Sequence, residues 1–298
     1  MRHFRGLYTA LVTPFTAEGA VDFPALKRLV DEQLAAGVAG LVLLGTTAET
    51  PTLSYPEKLQ VIEAGVAAAK GKCQLIAGVG DNETATSIEL AVEAAKRGVD
   101  AIMVVTPYYN KPSQEGQYRH FVAVAEAAGL PTMLYNIKGR TGVNTEPATV
   151  ARLAAHPLIT AIKEASGDLD QMMTLRHMLP PDFSMMCGDD AWALPFVALG
   201  AVGLVSVTSN FRPAEMKQLV ETALAGKMAD ARAQHEKLLP LMRAMMMEVN
   251  PVPVKTAMAM EKKLAEFFRL PLCEMMPENK QKLAAIVQQY QSTRRAAA

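Results

Sequence analysis

Eight short apolar runs recur along the chain, at 7–13, 40–44, 74–79, 100–105, 131–135, 158–163, 183–187 and 202–207. Runs of this length suit strands buried on both faces, as in a parallel sheet covered by helices. Between them, segments 24–36, 56–69, 84–97, 115–128 and 146–155 carry apolar residues at a spacing near 3.6, which predicts amphipathic helices. Asp22 before Pro24, Ser54 before Pro56 and Thr145 before Pro147 read as helix starts, each pairing a side-chain acceptor with an early proline. Gly37, Gly71, Gly98, Gly129 and Gly200 read as helix stops. Eight strand-then-helix units predict a (β/α)8 TIM barrel, an α/β fold. The rival is a doubly wound open sheet, which usually carries a glycine-rich turn after its first strand. Here the first strand ends in Thr13-Pro14-Phe15 and has no such turn.

Beyond residue 225 no further strand is expected. Helical patterns at 228–247, 252–261 and 278–292 predict a C-terminal helical extension over 226–298, following a barrel over 1–225 that carries the site. Met242, Met245, Met246 and Met247 read as packing or assembly residues of that extension.

Composition removes several function classes. The 30 basic and 30 acidic residues among 298 cancel, which argues against nucleic acid or an anionic membrane as partner. Cys73, Cys187 and Cys273 lie far apart and form no C-x-x-C pair, so reduced thiols in the cytoplasm are expected. No signal peptide and no apolar run near about 18 residues is read from the sequence. The five histidines show no metal-ligand spacing, and no metal is expected.

A barrel of this kind places its active site at the carboxyl ends of the strands. Lys163 ends the sixth run. By strand alternation Ile159, Ala161 and Lys163 should share one face, and an inward face would set the amine among apolar neighbours. Burial disfavours the ammonium form, and a neutral amine can attack a ketone to form an imine. Tyr135, ending the neighbouring fifth run, offers a phenol for proton transfer. Thr46 and Thr47 sit in the turn after the second run, Tyr109 on the loop after the fourth, and Arg140 just beyond the fifth. The hydroxyls and the guanidinium suit a carboxylate. Together these residues describe a pocket for an anionic keto acid with an amine at its floor.

Thr13-Pro14-Phe15, Gly45-Thr46-Thr47-Ala48-Glu49, Tyr108-Tyr109-Asn110-Lys111-Pro112, Tyr135-Asn136, Arg140-Thr141-Gly142, Ile162-Lys163-Glu164 and Gly188-Asp189-Asp190 span most of the chain. In this combination the sequence resembles the dihydrodipicolinate synthase (4-hydroxy-tetrahydrodipicolinate synthase) family of the pyruvate aldolase superfamily. The resemblance implies that Lys163 forms a Schiff base with pyruvate, with no cofactor. It implies that Tyr135, Thr47 and Tyr109 form a proton relay, with Tyr109 entering from a neighbouring subunit. Thr46 and Thr47 would hold the pyruvate carboxylate, Arg140 would engage aspartate 4-semialdehyde, and Gly188 and Val205 would line the pocket. A homotetramer built from dimers is implied.

The sequence departs from the family pattern in two places. Ala48 stands in a slot usually held by glycine, and a positive φ there would cost about 1 kcal/mol. Ile137-Lys138-Gly139 replaces a frequent proline, which should leave the Arg140 loop less fixed. The family's lysine effector site maps onto Tyr55, Lys58, Asn82, Thr86 and Tyr108. Lysine-sensitive members carry a histidine pair and a glutamate where this chain has Tyr55, Lys58 and Thr86, which implies weak or absent feedback by L-lysine. The alternatives are another pyruvate aldolase, such as N-acetylneuraminate lyase or a keto-deoxy sugar acid aldolase, and a catalytically silent keto-acid-binding barrel.

Overall fold

The computed structural model describes residues 4–296. Eight parallel strands close into a barrel in chain order: β1 (Gly6–Ala10), β2 (Gly40–Leu43), β3 (Gln74–Gly78), β4 (Ala101–Val105), β5 (Thr132–Asn136), β6 (Ile159–Glu164), β7 (Ser184–Cys187) and β8 (Gly203–Ser206). The helices between them are α1 (Phe23–Ala36), α2 (Tyr55–Ala69), α3 (Thr84–Lys96), α4 (Gln114–Ala128), the single turn α5 (Lys138–Thr141), α6 (Pro147–Ala154), α7 (Leu169–Met178) and α8 (Ala193–Ala198). After β8 follow α9 (Pro213–Leu224), α10 (Met228–Ala244), α11 (Val252–Met260) and α12 (Pro277–Ala296). Seven of the expected strands lie within one or two residues of their apolar runs, and β1 ends three residues earlier than its run, at Ala10. Among the described residues no helix is long and apolar enough to cross a membrane.

The strands are apolar on both faces because both faces are buried. Leu41, Leu75, Ile102, Leu134, Ile162 and Leu204 point outward beneath the helices, and Val42, Ile76, Met103, Met133, Ala161 and Val205 fill the interior. The seam between β1 and β8 needs glycine. A Cβ on Gly203 would lie 2.3 Å from the Gly6 carbonyl oxygen and 2.5 Å from Met186 Cε.

One expected register is corrected. Thr132 pairs with Ile159, but Met133 pairs with Ala161, so Thr160 is an extra residue in β6. A bulge of this kind re-phases the strand. Ile159 therefore belongs to the outer layer with Ile162, while Ala161 and Lys163 keep the inward phase.

The helix starts follow side-chain chemistry. Asp22 accepts from the Ala25 amide, and Ser54 with Glu57 forms a capping box. Thr145 does not cap as expected, and Glu146 holds the cap position of α6. The Thr145 hydroxyl instead joins a buried network, 2.8 Å from the Thr106 hydroxyl and 2.8 Å from Gln117 Oε1.

On α4, His120 is buried with Nδ1 3.0 Å from the Thr84 hydroxyl, and burial pushes its pKa down to about 4. The unfolded chain takes up this proton below about pH 6.5, whereas the folded chain resists it down to about pH 4. Its contribution to stability is full above pH 6.5 and falls as the pH drops through that window, by up to about 1.4 kcal/mol per pH unit. Urea denaturation at pH 7 and pH 5 should show a smaller acid-side loss in His120→Gln than in the parent. Equal losses would assign the proton to another group.

Candidate active site

Lys163 and Tyr135 are register partners at the carboxyl ends of β6 and β5. Both are buried, at 5% and 4% exposure, and the Lys163 amine lies 4.0 Å from the centroid of the Tyr135 ring. An aromatic face accepts a cationic or amine nitrogen without a counter-charge. Among the described residues no carboxylate lies within 4.0 Å of the Lys163 amine; the next residue, Glu164, spends its carboxylate elsewhere. Gly188 makes room for the lysine stem, since a Cβ there would lie 3.0 Å from Lys163 Cε and 2.6 Å from Ala165 Cβ. Val205 is fully buried in the interior layer below.

Glu164 faces the outer layer and ties this strand to the next loop. Its carboxylate accepts from Asn136 Nδ2 at 3.0 Å, Gln171 Nε2 at 2.9 Å and the Ser166 amide at 2.6 Å. Asn136 in turn accepts from the Thr145 amide at 3.0 Å and donates to Asn144 Oδ1 at 2.9 Å. The segment that carries Arg140 is thus held at its far end. The expected looseness of that loop is not found. Residues 138–141 close into the turn α5, ended by Gly142 at φ 72°, and Arg140 Nη2 donates to the Asn250 carbonyl at 3.3 Å.

The turn after β2 corrects a second expectation. Thr46–Ala48 form a tight right-handed turn, and the positive φ values fall on Leu44 and Glu49, at 55° and 54°. Ala48 carries no left-handed strain. Glu49 is held instead by charge. Its carboxylate accepts from the Lys255 amine at 2.5 Å and from the Arg269 amide at 3.2 Å. Both side chains of the Lys255–Glu49 pair are completely buried. The Lys255 amine also donates to the Phe267 carbonyl at 2.8 Å and lies 4.4 Å from the centroid of the Phe15 ring. Burial pulls its pKa below the ordinary lysine value, against the opposing pull of Glu49. Within this clamped turn Thr47 is buried, and its hydroxyl accepts from Asn250 Nδ2 at 2.9 Å.

A cavity of about 230 Å³ opens over these residues, lined by Thr46, Tyr135, Ile137 and Arg140. The same cavity is lined by Tyr55, Lys58, Thr86 and Tyr108. Thr46, Tyr135 and Arg140, expected at the substrate, thus share one space with residues expected to bind an effector, whereas Lys163, Thr47, Gly188 and Val205 lie outside the lining of this cavity. Asp81 rather than its neighbour Asn82 reaches the wall, and Tyr108 donates to it at 3.4 Å. Tyr109 does not line the cavity; it is 87% exposed, with φ 72°.

The sequence of residues 3–290 matches the model of the dihydrodipicolinate synthetase family. The chain belongs to this family. It is 50% identical over 283 residues to the 4-hydroxy-tetrahydrodipicolinate synthase of Koribacter versatilis, covering 95% of this chain and 94% of that one. The solved 4-hydroxy-tetrahydrodipicolinate synthase of Methylacidiphilum fumariolicum superposes with a TM-score of 0.95 at 44% identity, covering 97% of this chain and 96% of that one. Dihydrodipicolinate synthase from Aquifex aeolicus gives a TM-score of 0.95 at 41% identity, covering 97% and 98%.

Sequence reasoning missed Asn250, Lys255 and Arg269, all of which come from beyond β8. A signal for Lys255 was present. It is the single charged residue in the segment 251–260, Pro-Val-Pro-Val-Lys-Thr-Ala-Met-Ala-Met. A helix that apolar is buried all round, and a buried lysine requires a partner. Lys255→Met should therefore strand the Glu49 carboxylate and lower stability by about 3–5 kcal/mol, while the double variant with Glu49→Gln should recover most of that loss. Denaturation midpoints of the three proteins check this, and a single variant as stable as the parent would remove the pair from its structural role.

Proposed function

We propose that this chain condenses pyruvate with L-aspartate 4-semialdehyde to give 4-hydroxy-tetrahydrodipicolinate, the product for which its relatives are named. The observation that carries the reading is the buried Lys163 amine, set against the Tyr135 ring at the carboxyl end of the barrel, with no carboxylate of the described residues within 4.0 Å. The free-base form of such an amine is the nucleophile. Lys163 Nζ attacks the keto carbon of pyruvate, the carbinolamine loses water, and an imine forms. Loss of a methyl proton gives the enamine, whose carbon attacks the aldehyde carbon of the second substrate. The substrate's own amine then displaces Lys163 and closes the ring. Tyr135 and Thr47 carry protons between these steps. Thr46 and Thr47 receive the pyruvate carboxylate, Arg140 the carboxylate of the semialdehyde, and Gly188 and Val205 shape the floor. Covalent catalysis by an amine calls for no added cofactor.

Further parts of the reading rest on the family. A tyrosine as exposed as Tyr109, at 87%, is suited to enter the site of a neighbouring subunit, which supports a dimer or a tetramer. The cytoplasm suits a chain whose three cysteines are unpaired. Tyr55, Lys58, Asn82, Thr86 and Tyr108 stand where the family binds L-lysine, and the ammonium of Lys58 at the cavity wall repels an incoming lysine side chain.

Borohydride added with pyruvate should fix a stable adduct on Lys163, read by intact mass, and none in Lys163→Ala. Adduct formation in both proteins would end the Schiff-base assignment. Aspartate semialdehyde should be consumed with pyruvate while sialic acid is not cleaved; cleavage would favour a sugar-acid aldolase. L-Lysine should reach half-inhibition only above millimolar concentration at sub-saturating pyruvate, and tighter inhibition would show that Lys58 and Thr86 do not weaken the effector site.

A further inference from the structure

Asn250 lies between α10 and α11, outside the barrel, yet it reaches two of the proposed site residues. Its side-chain amide donates to the Thr47 hydroxyl at 2.9 Å, and its backbone carbonyl accepts from Arg140 Nη2 at 3.3 Å. It is 6% exposed, and its Oδ1 is buried without a hydrogen-bond partner among the described residues. The backbone around it is fixed on both sides. The Val252 amide donates to the Val249 carbonyl at 2.9 Å, and the Lys255 amide to the Pro251 carbonyl at 3.0 Å. Lys255 itself is locked to Glu49 in the turn that carries Thr47. Asn250 and Thr47 are therefore held by the same clamp from opposite ends.

A threonine hydroxyl has one proton to give and two lone pairs to fill. An amide N–H can only donate. With one lone pair taken by Asn250, the Thr47 proton must point to a different partner. We propose that Asn250 is a positioning residue that sets the direction of the Thr47 hydroxyl, so that Thr47 hands its proton toward the reacting centre. This rests on the reading of Thr47 as a proton carrier. A side-chain amide does not titrate, so the direction holds across the working pH range. The contact to Arg140 comes from the backbone and survives side-chain replacement. Substitutions at Asn250 thus separate proton transfer from binding of the second substrate.

Asn250→Ala should lower kcat about tenfold, the equivalent of about 1.4 kcal/mol, with KM for the semialdehyde little changed. Asn250→Asp is nearly isosteric, so it tests the idea even where the alanine variant folds poorly. Its carboxylate would accept from Thr47 and reverse the bond. Its kcat should fall below that of Asn250→Ala at neutral pH, and its ratio to the parent should rise as the pH is lowered and the carboxyl gains a donor proton. In a Thr47→Val background, adding Asn250→Ala should cost nothing further. Parental kcat and pH profile in Asn250→Asp, or additive losses in the double variant, would overturn the proposal. Borohydride trapping on each variant separates this from the wider reading. A parent that forms the Lys163 adduct and loses nothing on substitution at Asn250 removes the role of Asn250 alone. A parent that forms no adduct removes the assignment of Lys163, and this proposal with it.

Discussion

The Lys255–Glu49 ion pair carries more of this architecture than its place outside the chemistry suggests. Two charges taken wholly out of water cost several kcal/mol each in lost hydration, and their attraction offsets this only where the remaining donors and acceptors are also satisfied. Here they are. The second carboxylate oxygen takes the Arg269 amide, the amine takes the Phe267 carbonyl, and the Phe15 ring faces the remaining side of the cation. Such a pair is a poor source of net stability and a strong source of geometry, because any other arrangement leaves a bare charge in the interior. It fixes Glu49 at a left-handed φ, and with it the short turn that presents Thr46 and Thr47. The helical extension is thereby part of the site's scaffold.

The other determinant is the phase of β6. A parallel strand buried on both faces has no polar pattern to announce which residues look inward. The extra residue at Thr160 turns Ile159 outward and leaves Ala161 and Lys163 in line with the interior. A lysine one position out of phase would lie under the helices instead of against Tyr135. The glycine at Gly188, on the adjacent strand end, then leaves the space that the lysine stem occupies.

Much of this was legible in the sequence because it depends on local signals. Apolar runs of strand length, helical periodicity and early prolines located every strand and most helices. The end-of-strand rule for barrels pointed to Lys163, Tyr135, Thr47 and Arg140, which the fold gathers at the carboxyl ends of the strands. What escaped depends on distant contacts or on backbone angles. The bulge in β6 leaves no mark on an apolar run. The left-handed residue of the β2 turn is Glu49 rather than Ala48, a choice set by the clamp from residues more than 200 positions away. Thr145 looks like a helix cap until Gln117 and Thr106 claim its hydroxyl. Asn250 resembles a turn residue before proline, and only the fold brings it to Thr47.

The shared cavity bears on how control could work in such a site. Coupling between two separate sites needs a part of the structure with two arrangements that both ligands bias. Here Thr46 and Tyr135 stand on the same wall as Tyr55 and Lys58, so a molecule held at one end meets residues that position the other. Its influence would pass through occupied volume and local charge. The sign of the Lys58 charge then matters to the substrate as well. Pyruvate and aspartate semialdehyde each carry a carboxylate, and a cation at the wall favours anions entering from bulk water. A lysine at this position thus biases the whole cavity against cations and toward anions.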